Sequence, residues 1–330
     1  MNLHENQKEF SELITLTSSY FKISPVLVEK DYWVTLALRK LFESDMADQV
    51  VFKGGTSLSK AHKLIKRFSE DIDLAIIVDE GESAVSIKSK LKNVEQVCTR
   101  DFEEVTSDPR ISKKGRFRKT VWQFSKGELD GKFGDAGENI LLEVNSFTIP
   151  EPYENLLIQS LVAEYLNINS YQDVIEEFGL ESFSIAVLKL ERTFVEKISA
   201  ITKASYRSEN DNYNLLSKNI RHFYDLVKLF NKIGKDIISD KESFKSLLEK
   251  VKIDDRAMDS VKEWSTKKYV DADIFQKFDE VWKIISPSYR GVFKTMLYGD
   301  ELLPDEAQIK TIITKIKEAL YDIEGKLLSK

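Results

Sequence analysis

Cysteine is almost missing from this chain: Cys98 is the only one in 330 residues. An intrachain disulfide and a cysteine-based zinc site are thereby excluded. Proline and glycine are scarce, at 6 and 13 residues. That rules out collagen-like and low-complexity chains and suits a helix-rich one. No apolar run approaches the roughly 18 residues that span a bilayer. The stretch from Met1 to Phe10 is polar and lacks the apolar centre of a signal peptide. These absences point to a cytoplasmic protein with no membrane partner. An excess of positive charge is also missing: 49 Lys plus Arg stand against 55 Asp plus Glu, a net charge of −6. Such a chain is no general coater of nucleic acid, so any RNA contact must come from a local basic patch.

What is present is 42% hydrophobic residues, enough for a sizeable core and, at this length, about two domains. Residues 5–20 and 25–43 read as helices, the second opened by the hydroxyl of Ser24 and by Pro25 in the first turn. Residues 50–53 read as a short apolar strand that stops at Gly54-Gly55, and residues 57–66 as a helix. Asp71 to Val78 is the clearest strand, uniformly apolar in its far half, as expected of a strand covered on both faces. A charged amphipathic helix follows over 83–105, then strands over Arg116–Ser125 and Asn139–Thr148, with a loop over 126–138 between them. Beyond Pro150-Glu151-Pro152 nearly everything reads helical: 155–166, 184–205, 212–232, 241–250, 256–266, 273–285 and 304–327. The expected fold is therefore α+β. A small mixed sheet flanked by helices fills residues 1–155, and an α-helical bundle fills 156–330.

The chemistry lies in two adjoining stretches, Phe52-Lys53-Gly54-Gly55-Thr56-Ser57-Leu58-Ser59-Lys60 and Arg67-Phe68-Ser69-Glu70-Asp71-Ile72-Asp73-Leu74. In the first, a strand ends in two glycines and a helix follows at once. Glycine lets backbone approach a phosphate with no Cβ in the way. The helix start offers unpaired N–H groups and the positive end of a dipole, and Ser57 adds a hydroxyl. In the second, Asp71 and Asp73 leave the same face of a strand. Two such carboxylates repel unless a cation lies between them, and paired carboxylates bind Mg²⁺ together with substrate phosphates. Two metals about 3.5–4 Å apart would clamp the attacking and leaving oxygens of an in-line displacement. Glu143, the acid in the apolar run Ile140 to Val144, is the candidate third metal ligand and general base. Its bland reading is the solvated face of an alternating strand.

These two stretches resemble the signature of the AbiEii/AbiGii toxin family nucleotidyltransferases, of the DNA polymerase beta-like superfamily. Leu190-Glu191-Arg192-Thr193-Phe194-Val195-Glu196-Lys197-Ile198 and Arg221-His222-Phe223-Tyr224-Asp225-Leu226 are similar to that family as well. The resemblance covers roughly residues 26–230. It implies a nucleotidyltransferase fold with an added helical domain and dependence on an NTP and two Mg²⁺ ions. It also implies a toxin role in a toxin–antitoxin or phage-abortive system, with a possible antitoxin partner. Some relatives modify the 3′ end of tRNA, so an RNA acceptor is expected. Asp71 and Asp73 match the metal-binding pair, with Glu143 a positional match. Gly55 and Ser57 match the phosphate loop, in which Gly54, Thr56 and Lys60 are counted too. Lys197 and Asp225 match the downstream lysine and aspartate, and Arg221 joins the nucleotide-binding set.

Read physically, Lys197 flanks the stripe Leu190, Phe194, Ile198 and Ile201, where it serves either as a point charge for a triphosphate or as a snorkelling edge residue. Arg192 and Glu196, four apart, are expected to pair on a helix surface, and Arg221 with Asp225 allows a second such pair. A lone His222 beside them is ordinarily structural. Asp225 is expected to position Lys197, the base or the ribose. Lys113, Lys114, Arg116, Arg118 and Lys119 form the densest basic run. Arg116 and Arg118 share a strand face that could meet RNA or triphosphate backbone; a solvated hairpin is the alternative. Two further readings stay open: a small-molecule acceptor such as an aminoglycoside, and a nucleotide-binding or partner-docking module without turnover.

Overall fold

A computed structural model describes residues 2–69, 71–124, 139–258 and 262–325. Glu70 and the loop expected over 126–138 lie outside them, as does part of the helix expected over 256–266. The chain divides into two compact units, Met1–Leu188 and Lys189–Lys330.

The first unit holds one mixed sheet. Its strands are β1 (Val50–Lys53), β2 (Asp71–Ile76), β3 (Glu103–Glu104), β4 (Ser112–Lys114), β5 (Phe117–Gln123), β6 (Asn139–Asn145), β7 (Tyr153–Ile158) and β8 (Phe183–Leu188). They lie in the order β3-β5-β6-β2-β1-β8-β7, with β4 pairing with β5. β2 runs parallel to β6, and β1 parallel to β8. Helices α1 (Gln7–Phe21), α2 (Pro25–Phe42), α3 (Gly54–Lys60), α4 (Ala84–Cys98), α5 (Leu161–Ile168) and α6 (Gln172–Phe178) complete the unit. Asn6, Ser83 and Ser160 cap α1, α4 and α5 through their side chains, each satisfying a backbone N–H that the first helical turn leaves open. Pro25 begins α2 as expected, but the Ser24 hydroxyl makes no capping bond. Phe52, Ile72, Leu74, Leu142 and Val144 form one buried sheet face, and Trp33 of α2 stacks on Phe124 just beyond β5 at 5.6 Å between centroids.

Two segments expected as helix are strand at their start. Residues 153–158 form β7, antiparallel to β8, and helix begins only at Leu161. Residues 183–188 are β8, with Phe183, Ile185 and Val187 buried and Ser184 exposed, a period of two that excludes a helix. The boundary expected at residue 155 falls inside β7, and the division lies after Leu188 instead. Helix α3 starts at Gly54, three residues earlier than expected, and ends at Lys60. The helix expected over 83–105 stops at Cys98, leaving Glu103 and Glu104 to pair with β5.

The second unit is helical. It comprises α7 (Leu190–Ser208), α8 (Asn214–Lys218), α9 (Arg221–Leu229), α10 (Lys235–Ser239), α11 (Lys241–Arg256), α12 (Asp273–Gln276), α13 (Phe278–Arg290) and α14 (Glu306–Glu324). Asp305 and Gln308 form a capping box at the start of α14. α7 packs against α8, α9, α11 and α12. Partners on several sides explain why Arg192, Thr193, Lys197, Ser199 and Thr202 are buried along with its apolar residues. Among the described residues no helix is long and apolar enough to cross a membrane.

Candidate active site

Four neighbouring strands set four charged residues in one row. Lys53 of β1 stands opposite Asp73 of β2, Asp73 opposite Glu143 of β6, and Glu143 opposite Lys119 of β5. Residues paired in this way point to the same face of a sheet. The row therefore reads plus, minus, minus, plus. Asp71, two residues before Asp73, shares that face at the mouth of β2, and both aspartates are half-buried. Arg118, next to Lys119, points the other way and pairs with Glu95 of α4. α4 thus covers the opposite, apolar face.

The three expected carboxylates accordingly share a face, though not a common point. Lys119 Nζ lies 2.5 Å from Glu143 Oε1, and among the described residues no group of three His, Cys, Asp or Glu could hold a metal ion. Mg²⁺ does not need such a cage, since it takes one or two carboxylates together with phosphate and water oxygens. The hard oxygens of Asp71 and Asp73 fit that demand, and Glu143 stands one strand away with its charge offset by lysine.

The glycine turn abuts this row. Gly54 has φ +81°, and a Cβ on it would lie 2.0 Å from Asp73 Oδ2. Only glycine accepts both the left-handed backbone and the closeness of the carboxylate. A Cβ on Gly55 would come within 2.6 Å of Arg67 Nη2 and 2.7 Å of Ser69 Oγ. Thr56 Oγ1 donates to the Asp71 carbonyl at 2.5 Å, stitching the start of α3 to β2. The Ser57 hydroxyl, fully buried, donates to the Gly54 carbonyl at 2.9 Å. Gly54, Gly55, Thr56 and Ser57 are thus brought together with Asp71 and Asp73.

Other expected residues are committed elsewhere. The Lys60 ammonium, buried, bonds Asp31 Oδ1 at 2.6 Å, Thr35 Oγ1 at 2.7 Å and the Gln159 carbonyl at 3.3 Å. It ties α3 to α2 and does not point at the carboxylate row. The basic run is a hairpin with part of its charge paired internally. Lys113 bonds Glu104 at 2.5 Å, Arg116 Nη2 the Ser146 carbonyl at 2.9 Å, and Arg118 Glu95. Asp31 was not singled out by the sequence; Lys119 was named only as part of the basic run, and Arg67, which is buried, only as the first residue of the second stretch. Alternation along β5 places Lys119 opposite in facing to Arg118, but its partner depends on a register that spans a loop.

In the helical unit the structure brings Lys197 and Asp225 together, with Nζ 3.4 Å from Oδ2 and Asp225 fully buried. His222 Nδ1 stands 3.8 Å from the same oxygen. Burial, and after it the nearby Lys197 charge, hold the His222 pKa down at about 3, so the ring is neutral at physiological pH. Arg221 opens α9 half-buried. The Arg192–Glu196 pair forms at 3.5 Å, but not on a surface: Arg192 is fully buried and also pairs with Asp254 of α11.

Known proteins supply the remaining evidence. No curated protein matches the chain. Among solved structures it is similar to MenT4, a nucleotidyltransferase toxin from Mycobacterium tuberculosis H37Rv. The identity is 15% and the TM-score 0.41, over 90% of this chain and 92% of that one. The family model described as nucleotidyl transferase AbiEii toxin, type IV toxin–antitoxin system, matches residues 36–315. That span contains both the carboxylate row with its glycine turn and the Lys197–Asp225 pair, and the chain belongs to the AbiEii family of nucleotidyltransferase toxins.

Proposed function

We propose that this nucleotidyltransferase moves a nucleoside monophosphate from an NTP to the 3′ hydroxyl of an RNA, tRNA foremost, with Mg²⁺ held by Asp71, Asp73 and, as third ligand, Glu143. The observation that carries this reading is the register that sets Glu143 beside Asp73 on one face, with Gly54 against the Asp73 carboxylate. Bound there, the divalent ions would supply positive charge to the phosphates and acidify the attacking hydroxyl. The amides at the start of α3, opened by Gly54 and Gly55, receive the β- and γ-phosphates. Glu143 takes the proton of the hydroxyl, whose oxygen bonds the α-phosphorus as the α–β bridging bond breaks and pyrophosphate leaves. Lys197, oriented by Asp225, serves the same transfer with its charge, and Arg221 is assigned to nucleotide binding. An antitoxin restrains the activity in the cytoplasm, and defence against phage is the role proposed for the pair.

Asp73→Ala should abolish transfer of label from α-³²P NTPs while the circular dichroism spectrum stays native; undiminished transfer rejects the assignment. A small-molecule acceptor is the second reading. It is favoured by the ion pairs of Lys113 and Arg118, which leave the basic hairpin less charge for RNA. Incubation with total tRNA and with an aminoglycoside panel separates the two, and sequencing of RNA 3′ ends after expression identifies the acceptor.

A further inference from the structure

The row Lys53–Asp73–Glu143–Lys119 has a feature that the transfer reaction does not explain. Its outer carboxylate is already neutralised by a side chain. Lys119 Nζ is 2.5 Å from Glu143 Oε1, and the two side chains are similarly accessible, at 27% and 26%. Carboxylates opposite one another on adjacent strands repel, and Asp73 with Glu143 is such a pair. Asp71 adds a third negative charge on the same face. Lys119 is the cation that offsets this repulsion at Glu143. Within its hairpin Lys119 stands opposite Glu143 in register, whereas Lys113, Arg116 and Arg118 make their contacts with Glu104, Ser146 and Glu95.

An ammonium and a divalent ion compete for the same carboxylate oxygen. We propose that Lys119 is a built-in competitor of the divalent ion: it holds Glu143 until an ion displaces it, and so sets how tightly this face takes up metal. This inference rests on the metal assignment made above for Asp71, Asp73 and Glu143. Lys119 is on this view a positioning residue that acts through Glu143. It keeps the carboxylate row stable at low ion concentration and lowers its divalent affinity. A lysine that only braced β5 against β6 would do the first and not the second.

The test is calorimetric titration of the full chain with Mn²⁺, paired with thermal unfolding with and without the ion. In Lys119→Met the competitor is gone and the face carries one more net negative charge. Mn²⁺ affinity should rise at least about fivefold. The unfolding temperature should fall without Mn²⁺ and recover with it, so that the ion-induced shift exceeds that of the wild type. Lys119→Arg, which keeps the charge, should bind Mn²⁺ much as the wild type does. Two variants separate this idea from the assignment beneath it. If the wild type binds Mn²⁺ and Asp73→Asn abolishes binding, yet Lys119→Met binds no more tightly, Lys119 is a brace and the proposal is overturned alone. If Asp73→Asn binds as the wild type does, or the wild type binds none, the metal assignment falls and takes the proposal with it.

Discussion

Gly54 is where residue-scale physics is sharpest, because two independent constraints meet on one Cα. Its φ of +81° alone would cost an L-residue roughly 1–2 kcal/mol. A Cβ 2.0 Å from Asp73 Oδ2 adds a collision that only movement of the carboxylate relieves. Gly81 separates the two effects: its φ is +78°, yet a Cβ there meets nothing within 4 Å. Gly81→Ala is expected to lower stability by about 1 kcal/mol with full activity. Gly54→Ala should lose more stability and most NTP transfer, read by denaturant melts and labelled-NTP assays. Equal losses at both positions would show that the turn strains the backbone without serving Asp73. A second residue-scale expectation concerns Asp225. Removing it in Asp225→Ala leaves the buried Lys197 ammonium without the carboxylate 3.4 Å away. Stability should drop by about 3–5 kcal/mol, and Lys197→Met, which strands the fully buried Asp225 carboxylate, should cost at least as much and also impair transfer.

At the scale of elements, Lys60 shows how a residue inside a phosphate-loop motif can serve the scaffold. Its bonds to Asp31, Thr35 and the Gln159 carbonyl join α3 to α2 and to the approach of α5, and Asp31 Oδ2 in turn accepts from the Leu161 N–H at 2.7 Å. Lys60→Met is expected to destabilise the chain by about 3 kcal/mol, because a largely buried Asp31 loses its counter-charge. The KM for NTP should stay within about twofold, below the tenfold that 1.4 kcal/mol of lost binding would produce. A raised KM with unchanged stability would return Lys60 to the nucleotide. The same contrast governs what could be read before the structure. Asp71, Asp73 and the glycine turn were legible because their geometry is local: two residues apart on a strand, or one step from a strand end to a helix. β8 was legible in principle, since Phe183, Ile185 and Val187 alternate with Ser184 and Ala186, but Ala, Leu and Lys nearby pulled the pattern toward the helix that begins at Leu190. β7 was harder, because burial alternates along this edge strand but residue type does not: Tyr153 and Leu157 are apolar yet exposed together with Asn155. The pairs Lys119–Glu143, Lys60–Asp31 and Arg192–Asp254 join residues at least 24 apart in sequence, and nothing in local spacing encodes a register or a helix contact of that span.

At the scale of the whole chain, the neutral histidine beside Lys197 and Asp225 links local burial to global stability. In the folded chain the His222 ring resists protonation until about pH 3, chiefly because it is buried and next because Lys197 is near. In the unfolded chain it takes up a proton near the ordinary value of about 6.5. Between those values the unfolded chain binds more protons, so stability falls as the pH is lowered. Above about pH 6.5 the ring is neutral in both states and contributes no pH dependence. His4, also held below its ordinary value by burial, adds in the same direction. Most carboxylates titrate lower, so the interval from pH 6.5 to 5 reports mainly on histidine. Over it, His222 alone should remove up to about 1.4 kcal/mol per pH unit. His222→Leu abolishes that term while preserving bulk, and its denaturant midpoint should decline less steeply between pH 7 and pH 5 than that of the wild type. If the two slopes coincide, the imidazole is protonated with equal ease in both states. Below about pH 6.5 the charge beside Asp225 would then be shared between Lys197 and a cationic His222, and Lys197 would not be the sole cation of that pair.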